Sequence, residues 1–176
     1  MEGEKMEYRI SDKMKNLKPS AIREIFKALQ DPSIISFAGG NPAPESFPVA
    51  ERSRLSAEIC SDSPVAALLS SVTEGSPALR EDVKARIKSR FSIGRDFDMT
   101  IITSGGQQGI ELLTKVMCDE GDVVIVEEPS FIGALNAFRS NGAKLVGIPM
   151  EDDGINMEAL EDALRKNPNA KLLYLI

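Results

Sequence analysis

A chain of 176 residues, with 42% apolar and 27% charged residues, is long enough to bury a core and has the composition of a globular α/β protein. Its net charge is −6 and both signs are interspersed, which excludes the basic stripe of a nucleic-acid-binding protein. The sequence contains no histidine, so it cannot form a Ser-His-Asp triad and lacks a main zinc ligand. We therefore predict no metal site and no nucleic-acid partner.

The sequence shows no membrane segment. Residues 1–18 are charged and polar, and no stretch approaches the roughly 18 apolar residues of a membrane span. Cys60 and Cys118 fall in separate helical patterns, which favours reduced thiols over a disulfide. These features predict a cytoplasmic protein without a membrane partner.

The first predicted elements are an N-terminal arm, residues 1–18, and a helix that begins at Ser20 after a proline. The helix is predicted to end at Asp31-Pro32. An extended apolar piece follows and runs into a loop rich in glycine and proline, residues 39–44. That loop is a candidate functional segment.

The remainder predicts helices and then an alternation of short β-branched runs with helical segments, which is typical of a mostly parallel sheet flanked by helices. The predicted strands are Met99 to Thr103, Val123 to Val126, Lys144 to Ile148 and Lys171 to Leu175. The predicted helices are Val49 to Cys60, Pro77 to Phe91, Gln107 to Cys118, Phe131 to Asn141 and Asn156 to Arg165. The uncharged run Val123-Val124-Ile125-Val126 indicates a strand that is covered on both faces.

The strongest local motif is Thr103-Ser104-Gly105-Gly106-Gln107, where a predicted strand turns directly into a helix. The backbone N–H groups and the dipole at a helix start favour a phosphate, and glycines let the ligand come close. The motif matches neither the dinucleotide fingerprint nor the P-loop. Taken alone, it leaves open a phosphate site or a purely structural turn.

A second motif is Glu127-Glu128-Pro129-Ser130-Phe131, at the end of the next predicted strand. In a parallel sheet, both turns lie at the carboxyl edge, so Phe131 could cover a flat ring whose phosphate binds at Gly105 to Gln107. The alternative is a phenylalanine of the core.

These motifs resemble the fold-type I pyridoxal-phosphate-dependent aminotransferases of class I/II, closest to the branch of the 2-aminoadipate aminotransferases and the MocR-type regulators. The resemblance covers nearly the whole chain, and its motifs occur in the same order as in the family. They are Ser20-Ala21-Ile22-Arg23-Glu24-Ile25, Ser36-Phe37-Ala38-Gly39-Gly40-Asn41-Pro42, Thr73-Glu74-Gly75, Leu79-Arg80, Thr103-Ser104-Gly105-Gly106-Gln107-Gln108, Glu128-Pro129-Ser130-Phe131 and Leu173-Tyr174-Leu175-Ile176.

The resemblance implies pyridoxal 5′-phosphate as the cofactor and an amino acid and a 2-oxo acid as substrates. Gly105, Gly106 and Gln107 would hold the cofactor phosphate, and Phe131 would stack on the pyridine ring. It also implies a substrate site in which Gly39 and Gly40 approach the α-carboxylate and Arg23, beside Ser20, binds a distal carboxylate.

Two departures from the family pattern stand out. Ser70 occupies the place of a tyrosine that contacts the cofactor phosphate of the neighbouring subunit in relatives. The family's Schiff-base lysine, and three further essential residues, would lie beyond Ile176, and none of the eleven lysines in the chain is in a setting that would depress an amine pKa. We expect residues 1–176 to be inactive alone, with no catalytic residue among them.

The expected organisation is an arm, helix and substrate loop over residues 1–48 and an incomplete large cofactor-binding domain over residues 49–176. By resemblance, the protein is a homodimer, and the strand Met99 to Thr103 would pair with a strand beyond this sequence. The alternative function is a ligand-binding regulatory module of MocR type. The nineteen residues before Ser20 show no helix-turn-helix pattern, which favours the enzyme.

Overall fold

The computed structural model describes residues 9–11, 14, 33, 34, 40, 42–70 and 72–176. The chain divides into two compact units, one formed by residues 1–27 with 104–176 and the other by residues 28–103. The helix predicted from Ser20 lies outside the described residues.

The unit of residues 28–103 is helical where it is described. A single 3-10 turn, Pro44–Ser46, precedes helices α1 (Val49–Asp62), α2 (Pro64–Leu68) and α3 (Pro77–Phe91). Helices α2 and α3 each begin with a proline, which suits the first helical position because its missing N–H has no partner there. The predictions of α1 and α3 are confirmed, and the segment between them contains α2, which was not predicted.

The segment Met99 to Thr103 was predicted as a strand, and this prediction is wrong for the structure as described: the segment joins no sheet. The Arg80 Nε donates a hydrogen bond to the Thr100 carbonyl oxygen at 2.6 Å, and the Ile102 N–H donates to the Glu74 carbonyl oxygen at 2.9 Å. A β-branched run becomes a strand only where a neighbouring strand accepts its backbone hydrogen bonds, and here a side chain and a turn take that place.

The unit that contains residues 104–176 is an α/β sheet with flanking helices, as predicted. Its strands are β1 (Val123–Glu128), β2 (Lys144–Glu151), β3 (Gly154–Ile155) and β4 (Ala170–Tyr174), in the order β3-β2-β1-β4. Strand β1 pairs in parallel with β2 and β4, and the short β3 pairs antiparallel with β2. Three predicted strands are therefore confirmed, and β3 makes the sheet mixed.

Helices cover both faces of β1. They are α4 (Gly105–Met117), α5 (Ile132–Ser140) and α6 (Met157–Lys166), close to the predicted bounds. Ile125 packs with residues of α6 on one face, and Val124 packs with Phe138 of α5 on the other. Because successive side chains of a strand point to opposite faces, burial of both residues confirms a strand covered on both sides.

Candidate functional site

The glycine turn of the sequence forms the beginning of helix α4. Ser104 occupies the N-cap position, and its backbone N–H donates to the Gln108 Oε1 at 2.5 Å. Gly105 has a φ of +79°, a backbone conformation that glycine adopts without strain. Apart from chain neighbours and the helix's own backbone, no atom of the described residues lies within 4 Å of a Cβ built at Gly105 or Gly106. The helix start therefore presents open space to a ligand, together with the N-terminal dipole and N–H groups that favour an anion.

Strand β1 ends in the second motif and leads directly into α5. The Glu128–Pro129 peptide bond is cis, and Phe131 is the N-cap residue of α5. The Phe131 side chain is 46% exposed, which argues against the alternative of a core phenylalanine. An exposed ring at a helix start can serve as a stacking surface for a flat ligand.

The structure brings the two motifs together at Gly133, the second residue of α5. The Gln107 Nε2 donates a hydrogen bond to the Gly133 carbonyl oxygen at 2.9 Å. A Cβ added at Gly133 would lie 2.5 Å from the Phe131 Cε1 and 2.6 Å from the Gln107 Oε1. The predicted phosphate-turn residue and the predicted stacking residue therefore both lie against one glycine.

Polar atoms with little access to solvent line the adjacent end of β1. The Ser130 Oγ is buried and makes no hydrogen bond within the described part of the chain. Glu127 is also buried, and its Oε2 accepts a hydrogen bond from the Ile176 N–H at 3.1 Å. A buried hydroxyl without a partner is costly, so Ser130 is a candidate to contact a bound group.

These features fit a phosphate attached to a flat aromatic ring. The start of α4 suits the phosphate, the exposed face of Phe131 suits the ring, and the Ser130 hydroxyl has unused hydrogen-bonding capacity. Within the described ranges, no group of three or more His, Cys, Asp or Glu residues could hold a metal ion.

The predicted substrate residues are described only in part. Ser20, Arg23 and Gly39 lie outside the described residues. Gly40 is described, has a φ of +53° and belongs to the unit of residues 28–103. Ser70, where the family pattern has a tyrosine, is exposed.

Two residues of the site were missed by sequence reasoning. Ser130 lies within a quoted motif, but its burial is a property of the folded chain. Gly133 had a usable signal, because a glycine in the first turn of a predicted helix weakens that helix unless the missing side chain has a purpose.

Residues 35–175 match the family aminotransferase class I and II. This chain therefore belongs to the class I and II aminotransferases, and the resemblance found in its motifs is confirmed.

Individual relatives agree with this assignment. The 2-aminoadipate transaminase of Thermus thermophilus is 40% identical over 160 residues, which cover 91% of this chain and 38% of that protein. The kynurenine aminotransferase of Pyrococcus horikoshii, solved in complex with PMP, is 33% identical, with a TM-score of 0.84. The match covers 95% of this chain and 42% of the Pyrococcus chain. An uncharacterized HTH-type transcriptional regulator of Escherichia coli is 30% identical over 148 residues, 84% of this chain and 31% of that protein.

The chain thus spans about two-fifths of the length of the aminotransferases that it matches. The structural similarity confirms the predicted α/β fold of the fold-type I enzymes, and the family supports pyridoxal 5′-phosphate as the cofactor. Among the described residues, no helix is long and apolar enough to cross a membrane.

Proposed function

We propose that the protein is a pyridoxal-phosphate-dependent aminotransferase that moves an amino group from an amino acid to a 2-oxo acid. The observation that carries this proposal is the meeting of Gln107 and Phe131 at Gly133, beside the open start of α4. A structural turn needs no exposed ring next to it, whereas a phosphorylated pyridine needs both an anion site and an aromatic face.

Each residue of the site has a defined task in the proposed reaction. The backbone N–H groups at the start of α4 bind the phosphate, and the face of Phe131 restrains the tilt of the pyridine ring. The bound cofactor supplies the electron sink that labilises the bonds at the substrate's α-carbon. Gly39 and Gly40 would bind the α-carboxylate of the substrate through backbone N–H groups. The proposed enzyme is a homodimer in the cytoplasm.

The proposed amino donor is a dicarboxylic amino acid such as 2-aminoadipate or glutamate. Its distal carboxylate would bind the Arg23 guanidinium, with Ser20 beside it, since the planar fork of arginine matches the geometry of a carboxylate. Similarity to the Thermus 2-aminoadipate transaminase over 91% of this chain supports this choice of substrate class.

We also propose that the lysine that binds the cofactor covalently is not one of the lysines of residues 1–176. These residues alone would therefore not catalyse transamination. Three of those lysines are in ion pairs on the exposed surface: Lys88 with Asp96, Lys115 with Glu111 and Lys166 with Asp162. These three side chains are exposed and ion-paired, whereas an activated amine nucleophile is typically desolvated in an apolar pocket.

Transamination by the full-length protein tests the proposed function. The protein is incubated with pyridoxal 5′-phosphate, 2-oxoglutarate and a panel of single amino acids, and the glutamate formed is quantified by chromatography. We expect glutamate from 2-aminoadipate, and a single borohydride-fixed cofactor adduct on peptide mapping. A protein that binds the cofactor but forms no amino acid product from any donor would contradict the proposal.

The replacement Arg23→Ala tests the substrate class. Loss of a charged hydrogen-bonding partner costs about 1.5–3 kcal/mol, so kcat/KM for 2-aminoadipate should fall roughly ten- to hundredfold. Leucine, which has no distal carboxylate, serves as the control donor and should lose far less. Equal losses of kcat/KM for both donors would show that Arg23 does not recognise the distal carboxylate.

A regulatory module remains a second candidate because one relative of this chain is an HTH-type regulator, 30% identical over 148 residues. Such a module would bind the cofactor and an amino acid without releasing product. The transamination experiment separates the enzyme from the regulatory module. A change in the absorption spectrum of the bound cofactor on addition of an amino acid, without formation of product, would favour the regulatory module.

A further inference from the structure

Gly133 has no backbone reason to be glycine. It is the second residue of α5, and it is not among the glycines with a positive φ. In a helix, glycine is less favourable than alanine because it loses more conformational freedom on folding. A glycine at this position therefore weakens α5 unless the space beside it is needed.

That space is occupied by the two side chains of the candidate cofactor site. A Cβ at Gly133 would lie 2.5 and 2.6 Å from the Phe131 Cε1 and Cζ, and 2.6 Å from the Gln107 Oε1. Real Cβ contacts essentially never fall below 3.0 Å, so either the ring or the amide would have to move. All three atoms are at the ends of side chains that can rotate, so the helix itself could remain in place.

Close contact is not a general property of the glycines in this site. Gly106 lies in the first turn of α4, and among the residues that the structure describes, no atom beyond its chain neighbours and the helix's own backbone lies within 4 Å of a Cβ built there. Among the described glycines, Gly133 is the one at which an added Cβ would meet both Phe131 and Gln107, and its carbonyl oxygen also accepts the Gln107 hydrogen bond of 2.9 Å.

We propose that Gly133 is a positioning residue, which sets the Phe131 ring and the Gln107 amide in register so that one ligand can contact the ring face and the phosphate turn together. This inference rests on the proposed function. It assigns to Gly133 no contact with the substrate and no role in proton transfer.

The test is the binding of pyridoxamine 5′-phosphate to the full-length Gly133→Ala variant. This probe binds without a covalent bond, so its dissociation constant reports on positioning separately from turnover. We expect binding to weaken about tenfold, which corresponds to about 1.4 kcal/mol. The melting temperature of the cofactor-free variant should be unchanged or higher, because alanine favours the helix.

A double-mutant cycle identifies the route of the effect. If Gly133 acts through the ring, Gly133→Ala should weaken binding far less in a Phe131→Ala background than in the wild type. The matched control is Ala159→Gly on α6, which packs against the opposite face of β1 and should lower the melting temperature but leave binding unchanged.

The possible outcomes are separable. Failure of the wild-type protein to bind the probe would overturn the proposed function itself. Binding by the wild type and by Gly133→Ala within about twofold of each other would overturn only the role of Gly133. A full effect of Gly133→Ala in the Phe131→Ala background would show that the ring is not the route.

Discussion

Cys118, which follows α4, is a half-buried free thiol near two carboxylates. Burial raises its pKa above the ordinary value, and the negative charge of Asp122 raises it further. Lys171 acts in the opposite direction, and Asp119 adds to the rise. Because the thiolate is the reactive form, a raised pKa makes this cysteine a slow nucleophile near neutral pH.

This pKa shift predicts how Cys118 responds to the replacement Asp122→Asn. Removal of the nearby negative charge should lower the pKa, so the thiolate fraction and the alkylation rate at pH 8 should rise several-fold. The asparagine oxygen can still accept the Asp119 N–H hydrogen bond, 2.9 Å in the wild type. Iodoacetamide labelling in a Cys60→Ser background measures the rate, and a slower reaction of the Asp122→Asn variant would refute the assignment.

Single glycines show how far sequence reasoning reaches at the residue scale. Gly105 could be identified from the sequence because a strand-to-helix turn demands a special backbone conformation, and its φ is +79°. Gly133 gave only the weak signal of a glycine in the first turn of a predicted helix, and its purpose could not be identified because its partner Gln107 lies 26 residues away in sequence. A purpose that depends on space between distant side chains leaves only a weak mark in the local pattern.

At the scale of elements, helix α6 has a well-defined beginning. The Asn156 Oδ1 accepts a hydrogen bond from the Ala159 N–H at 2.7 Å, which satisfies one of the otherwise unpaired donors of the first turn. On its exposed face, Arg165 pairs with Glu161 and Lys166 pairs with Asp162, both at i,i+4 spacing.

The cap predicts a loss of stability for Asn156→Ala. Removal of the side-chain acceptor should lower the free energy of unfolding by about 1 kcal/mol, measured by urea denaturation. Asn156→Ser is the matched control because a serine oxygen can also cap the helix, and it should retain most of the stability. Equal losses in both variants would mean that the contact of the Asn156 Nδ2 with Glu151, 2.5 Å, contributes more than the cap.

Local signals placed most elements but not all of them. Helix α3 spans the predicted residues because a serine and a proline mark its start, and Ser92, with a φ of 55°, marks its end. The two-residue strand β3 was missed because it carries no periodicity of its own and exists only through pairing with β2. The prediction of a strand at Met99 to Thr103 was wrong for the converse reason: its residues favour a strand, but the segment pairs with none of the strands that the structure describes.

At the scale of the whole molecule, burial is concentrated in one of the two units. Every buried residue among those described belongs to the unit that contains residues 104–176, and the described residues of the unit 28–103 include none. The central strand β1 supplies five of the buried residues, from Val123 to Glu127. The sheet and its helices therefore form the core around which the candidate cofactor site is placed.

The sequence by itself determined the class of fold, the family and the cofactor. The class of fold rests on local quantities, namely the period of apolar residues and the residues that a turn demands, whereas the family and the cofactor rest on the resemblance carried by the order of motifs along the chain. Periods and turn residues are encoded within a few neighbouring residues, and the order of motifs is read along the chain, so all of them can be recognised before the chain is folded.

Only the tertiary structure decided which side chains meet. It showed that Phe131 is exposed, that the Ser130 hydroxyl is buried without a partner, and that Gln107 and Phe131 both contact Gly133. It also showed that Arg80 and Glu74 hold the segment predicted as a strand. Such contacts join residues far apart in sequence, and their energies depend on packing and burial that no local pattern specifies.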